Sequence, residues 1–273
     1  MIPEMVITDL DGTFLNSAGQ ISAVNRKTME ELAESNIITV FATGRSLYSY
    51  QQVIPASLPV DFIVFSSGAG IYECRTKKIV DSNTIDSGFV KQSVNVLHRH
   101  RIDFFIHREI PENHFFDYFL FDNSNKTDAW QRIKNYNEFA TPINNISNYN
   151  FSNSCQVIGI TQNVPELCDS IKLELPYLNV IRTTSPLDKE SLWIEIFPKQ
   201  VSKAKACRKL CKLLGVKRNK TLGIGNDFND LDMLNWVAQS YVVGNAPKKL
   251  TKQFPRIETN DNDGFSKLIK NII

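Results

Sequence analysis

Three short apolar runs near the start of the chain, at residues 5–8, 37–44 and 62–68, are separated by two stretches of helical character. Met29, Leu32 and Ala33 give the first stretch its helical spacing, and the second begins at Ser46. Strand, helix, strand, helix, strand is the order of a parallel sheet wound with helices, because parallel neighbours need a long crossover and a helix is the compact one. The rhythm returns near residue 199. Ser202 is a suitable N-cap for a helix striped by Cys207, Leu210, Cys211 and Leu214, with Gly215 as its stop. A strand at 221–225, a helix, the strand "SYVVG" and a closing helix over 263–272 follow.

Between these halves the pattern changes. Residues 70–81 read as a hairpin, 86–99 as a helix, and 102–107 with 114–122 as adjacent aromatic strands. "CQVIGIT", a helix near 164–174, "LNVIRTT" and "LWIEIF" complete the segment. The expected fold is a doubly wound parallel α/β core built from residues 1–83 and 190–273. An α+β insert at 84–189 interrupts it, with the Asn-rich stretch 144–153 as its least structured part.

Composition narrows the function classes. With 42% apolar and 22% charged residues, a chain of 273 can bury a large core and is not of the disordered type. A net charge of +2 with no dense Lys/Arg run argues against a nucleic-acid partner. Asp9 and Asp11 interrupt the early apolar stretch, so no signal-peptide pattern is present, and no apolar run approaches the roughly 20 residues that span a bilayer. Five cysteines without a C-x-x-C suit core thiols in a reducing compartment. The expectation is a cytoplasmic protein with neither a membrane nor a nucleic-acid partner.

Ligands of open parallel sheets bind at the carboxyl ends of the strands, and four unusual stretches fall there. Asp9-Leu10-Asp11-Gly12-Thr13 follows the first strand, and Thr43-Gly44-Arg45 the second. Lys203 opens a helix, and Gly225-Asn226-Asp227-Phe228-Asn229-Asp230 follows a later strand. Residues two apart on an extended chain project to the same side, so the carboxylates of Asp9 and Asp11 are expected to converge. Two close carboxylates raise one pKa unless a metal neutralises one of them. Thr43 offers a hydroxyl and Gly44 an unobstructed N–H, both suited to phosphate oxygens, while Arg45 is open between meeting substrate and closing a surface ion pair. A lysine in the first turn of a helix opposes the helix dipole, and an anion bound there would remove that penalty.

The "DLDGT" near the N-terminus, "ATGR", a lysine at a helix start and "GNDFNDLDML" together resemble the haloacid dehalogenase-like superfamily. Their order, and the insert between the second and third, are similar to its Cof-type, class IIB capped branch. The resemblance covers essentially the whole chain. It implies an Mg²⁺-dependent phosphatase acting on a small phosphorylated metabolite, with a sugar phosphate as the first candidate. Asp9 would be the nucleophile that forms an aspartyl-phosphate, and Asp11 the acid/base. Thr43, Gly44, Arg45, Lys203 and Asn229 would bind phosphate. The metal set would draw on Asp9, Asp11, Asn226, Asp227 and Asp230, with Mg²⁺ on the first carboxylate and the backbone carbonyl of the second.

One departure stands out. Related enzymes most often carry aspartate where this chain has Asn226, and a hard divalent ion favours carboxylates. Asp227 is expected to supply the missing charge, directly or through water, with Asp230 in the outer shell. Two other readings stay open, a phosphomutase and a phospho-metabolite-binding regulator without turnover. The substrate and the oligomeric state are not readable from the sequence.

Overall fold

The structure, a computed structural model, describes residues 2–121, 128–162, 164–185, 187–188 and 190–273. In chain order the strands are β1 Met5–Thr8, β2 Ile38–Ala42, β3 Phe62–Phe65, β4 Gly70–Glu73, β5 Lys78–Ser82, β6 Asp103–His107, β7 Phe116–Phe119, β8 Ala140–Pro142, β9 Val157–Thr161, β10 Leu178–Thr184, β11 Leu192–Pro198, β12 Thr221–Gly225 and β13 Gln239–Val242. The helices are α1 Ala23–Glu34, α2 Leu47–Val53, α3 Ser87–Arg99, α4 Asp128–Asn135, α5 Pro165–Glu174, α6 Lys203–Leu214, α7 Leu231–Trp236, α8 Lys248–Thr251 and α9 Gly264–Ile272.

The chain divides into two compact units, Met1–Ser82 with Ser202–Ile273, and Asn83–Val201. The first holds a seven-stranded sheet in the order β13-β12-β1-β2-β3-β4-β5. Its first five strands are parallel, and β4 and β5 add an antiparallel hairpin at one edge. Strands β1, β3 and β12 are buried along their whole length, as strands covered on both faces must be, so they read as unbroken apolar runs. Ser202 caps α6 by accepting from the Lys205 N–H, and Gly215 ends it in a left-handed conformation. Cys207, Leu210 and Cys211 of its stripe are buried against the sheet.

The second unit is a six-stranded sheet in the order β10-β11-β9-β6-β7-β8. Successive residues of β6 point to opposite faces. Phe104 and Ile106 pack with Val94 and Leu97 of α3 and Ile171 of α5, whereas Phe105 packs with Ala129 and Ile133 of α4 and Trp193 of β11. Helices α3 and α5 are clamped where they end: Arg99 and His100 both reach Glu174 at 2.5 Å. The Asn-rich stretch contains a single 3₁₀ turn, Ile146–Asn148, whose preceding Asn145 accepts from the Ser147 N–H.

Two expectations change. The run "LWIEIF" completes the second segment as read, but the expected bound at 189 leaves it on the core side; as β11 it pairs with β9 and β10, so this unit runs to Val201 rather than 189. Sheet membership is a non-local property that an apolar run does not encode. Helix α4 has no counterpart in the sequence reading, because of its three buried residues, Asp128, Ala129 and Ile133, only two are apolar and the segment is short and polar. Residue 122, the end of the expected second aromatic strand, and residue 189 lie outside the described residues. No helix among the described residues is long and apolar enough to cross a membrane.

Candidate active site

Asp9 directly follows β1, and its N–H continues the parallel ladder by donating to the Ile224 carbonyl of β12 at 2.9 Å. Its side chain is buried, with 5% exposure. Lys203, the first residue of α6, is equally buried, and its ammonium bridges two carboxylates: Asp9 Oδ1 at 2.8 Å and Asp230 Oδ1 at 2.6 Å. The second oxygen of Asp230 accepts from the N–H groups of Asn226 at 2.9 Å and Asp227 at 3.1 Å. Thus Asp230 ties the loop after β12 to the lysine, and its oxygens are already engaged.

One cation faces two acids in a nearly buried site. Burial raises the Asp9 carboxyl to about 7, with Asp230 adding to the rise and Lys203 opposing it. Burial alone would lower Lys203, but the charges of Asp230 and Asp9 outweigh it and hold the ammonium above the ordinary lysine range.

Asp11 meets a different cation from Asp9. Its carboxylate is taken by the guanidinium of Arg45, Nε to Oδ2 at 2.8 Å and Nη2 to Oδ1 at 2.7 Å. Each acid has its own cation, and the Asp11 charge still adds to the rise in the Asp9 carboxyl. Arg45 Nη1 also donates to Ser49 Oγ at 3.1 Å. This fork was not readable from the sequence, since nothing in "ATGR" says which acid the arginine meets.

The turn after Asp11 depends on Gly12, whose φ is +71°. A Cβ there would also stand 2.5 Å from Nδ2 of Asn226, so the Asn226 amide lies directly over this backbone. Asn245 donates to the Gly12 carbonyl at 2.8 Å, and the Asn260 N–H in turn donates to Asn245 Oδ1 at 3.2 Å. Asn260 also holds the Leu15 carbonyl at 2.9 Å. These two asparagines, which the sequence reading missed, brace the segment carrying Asp11. Their partners are main-chain carbonyls, which leave no mark in a sequence.

The remaining expected residues divide. Thr43 is buried at the end of β2, where its Oγ1 accepts from the Arg45 N–H at 3.1 Å and keeps its own proton to donate. Gly44 is partly exposed beside it. Asn229 is half-buried in the 3₁₀ turn Phe228–Asp230. Asp227 caps that turn, its side chain accepting from the Asp230 N–H while Asp230 reciprocates. Among the described residues, no three Asp, Glu, His or Cys side chains meet as a metal-binding group.

The sequence profile of the haloacid dehalogenase-like hydrolases matches residues 6–269. A Bacillus subtilis protein named 5-amino-6-(5-phospho-D-ribitylamino)uracil phosphatase YcsE is 22% identical, over 98% of this chain and 94% of its own. Among solved structures, SMU.1108c from Streptococcus mutans UA159 aligns with a TM-score of 0.81 at 18% identity, covering 98% of each chain. A subclass IIB sugar phosphatase, BT4131, aligns with a TM-score of 0.76 at 17% identity, over 98% of this chain and 99% of its own.

Proposed function

The chain belongs to the haloacid dehalogenase-like hydrolases, and from that membership we propose that it is an Mg²⁺-dependent phosphatase of a small phosphorylated metabolite, with a sugar phosphate the first candidate. The observation that carries the reading is Asp9. It is a buried carboxylate at the end of a central strand, with one oxygen held by Lys203 and the other without a hydrogen-bond partner among the described residues.

In this reading that oxygen attacks phosphorus, an Asp9–phosphorus bond forms, and the bond to the leaving oxygen breaks. Asp11 gives the leaving oxygen a proton. It then takes one from a water that attacks the aspartyl-phosphate, so that Asp9 and inorganic phosphate separate. Lys203 sits where it can offset negative charge on the phosphoryl oxygens. Thr43, Gly44 and Asn229 supply neutral donors. Arg45 has two roles to reconcile. Its fork holds both oxygens of Asp11, yet a phosphoryl group is an equally good partner for a guanidinium. A substrate that recruits Arg45 therefore releases Asp11 to carry a proton. The unit Asn83–Val201 serves as the cap that selects the leaving group.

The candidate ligands suit Mg²⁺ in kind, since each can offer an oxygen: the Asp9 carboxylate, the Asp11 carbonyl and the Asn226 amide, whose Nδ2 lies over Gly12 and whose oxygen is the atom a metal would take. When bound, the ion would add positive charge against the phosphoryl oxygens. Asp227, occupied in its cap, would contribute charge from further out. Asn226→Asp is expected to lower the Mg²⁺ concentration for half-maximal activity by about tenfold, because a carboxylate suits this cation better than an amide. Asp227→Asn should raise it. A Mg²⁺ titration of both variants checks this, and an Asn226→Asp protein with an unchanged or higher requirement would remove Asn226 from the metal set.

Phosphate release across phosphorylated sugars, nucleotides and cofactors, with Mg²⁺ and with Asp9→Asn as the blank, tests the function itself. Release above the blank supports hydrolysis. Transfer to a second sugar hydroxyl without net phosphate would make the protein a mutase. Binding without turnover at any Mg²⁺ concentration would make it a regulator, the reading that Asn226 favours.

A further inference from the structure

The run Ser66-Ser67-Gly68, which lacks the glycine spacing of a dinucleotide-binding loop, has an unusual backbone. Three consecutive residues after β3 are left-handed, with φ of +47° at Ser66, +53° at Ser67 and +100° at Gly68. Two successive serines in that region are uncommon and are held only where the surroundings require it.

The surroundings here are two elements of the site. On one side the turn donates to the loop after β2: the Ser66 N–H to the Arg45 carbonyl at 2.8 Å, and the Ser67 N–H to the Thr43 carbonyl at 2.9 Å. On the other side Gly68 lies against the start of α6. A Cβ at Gly68 would stand 2.4 Å from the Ser202 carbonyl oxygen and 3.1 Å from the Lys203 nitrogen. These are backbone atoms, so no side-chain rotation can make room. One short turn thus fixes both the Thr43–Arg45 loop and the residue that carries the buried ammonium.

We propose that the Ser66–Gly68 turn is a positioning device that seats Lys203 against Asp9, with Gly68 as the positioning residue. The proposal rests on the reading of Asp9 as nucleophile. Seating a methyl group at Gly68 requires the start of α6 to retreat by about 1 Å, a misplacement that can cost about a hundredfold in rate. The bonds from Lys203 to Asp9 and Asp230, at 2.8 and 2.6 Å, have no slack to absorb it.

The test is steady-state kinetics on Gly68→Ala and Gly68→Asn, each alone and combined with Lys203→Arg. Asparagine tolerates left-handed backbone better than alanine, so it retains the clash with less strain. The control is Gly19→Ala, a left-handed glycine with nothing within 4 Å of its Cβ position. The expected result is a fall in kcat of about 30- to 100-fold for the Gly68 variants, with KM within about threefold. In the Lys203→Arg background the further loss should be less than about threefold, because the device acts through the lysine. Gly19→Ala should lose thermal stability but keep its kcat.

Full activity in both Gly68 variants would overturn the proposal, as would a loss that multiplies undiminished in the Lys203→Arg background. Failure of both variants to fold would also overturn it, since the turn would then serve folding rather than the site. Wild-type protein with no Asp9-dependent turnover is a different failure. It rejects the phosphatase reading, and this proposal with it.

Discussion

Replacing Asp9 with asparagine is expected to abolish phosphate release, by about 10⁴-fold or more, while leaving the protein at least as stable as before. An amide cannot form the phosphoaspartate, so the loss should fall on kcat rather than on substrate affinity. The stability half of the prediction follows from charge. Lys203 faces two buried carboxylates, and burial with Asp230 repulsion already raises Asp9 toward its neutral form, to about 7. A neutral side chain at Asp9 leaves one ammonium with one carboxylate, Asp230, which keeps its two backbone donors. Phosphate release and a thermal melt on the same sample check both halves. Activity within tenfold of wild type, or a trapped phosphoryl analogue attached to any other residue, would count decisively against Asp9 as nucleophile.

The opposite substitution removes the cation. Lys203→Met strands Asp9 and Asp230 together in a site with almost no exposure. Breaking a buried ion pair by deleting one partner typically costs about 3–5 kcal/mol, which for a chain of this size lowers the melting temperature by about 10 °C. Activity should fall by about 10²–10³-fold, the usual loss for a donor facing developing charge. The deficit should also depend on pH, with a sign that can be worked out. Without Lys203, which opposes the rise in Asp9, the folded Asp9 carboxyl titrates still further above its unfolded value. The folded state then binds more protons than the unfolded one between those values, so stability falls as pH rises through that window. Denaturant unfolding should therefore find the variant closer to wild type at about pH 5 than at about pH 8. A deficit that grows toward acid would show that the stranded carboxylates are not its cause.

Much of this architecture was readable because the parallel strands are buried on both faces. Unbroken apolar runs such as 62–65, a serine before α6 and a glycine after it are local signals, and the structure follows them. The four motif stretches were also legible, but the pairing of their charges was not. Alternation on an extended chain places Asp9 and Asp11 on one side, but it says nothing of the separate cations, Lys203 and Arg45, that hold them. Lys203 looked like a helix-start lysine awaiting an anion, and Asp230 a member of an outer shell. Their mutual contact depends on α6 and the loop after β12 meeting, which no spacing within either segment encodes. Asn245 and Asn260 were passed over for a related reason, since an asparagine that serves main-chain carbonyls looks like any other loop residue.

The neighbour of β1 in the first sheet is β12, so residues 5–8 wait for residues 221–224 before their hydrogen bonds on that side can form. The strands β6 to β11, by contrast, find all their partners within Asn83–Val201. During synthesis, which runs N-terminus first at about 5–20 residues per second, the segment bearing Asp9 leaves the ribosome early and β2 soon after, but β12 is missing from its other side for many seconds. Closing so long a loop is entropically slow relative to the local pairings of the second unit. The site is therefore assembled among the last features of the nascent protein. A chain cut short before β12 would carry its nucleophile on an unpaired strand edge, the kind of surface on which nascent chains aggregate.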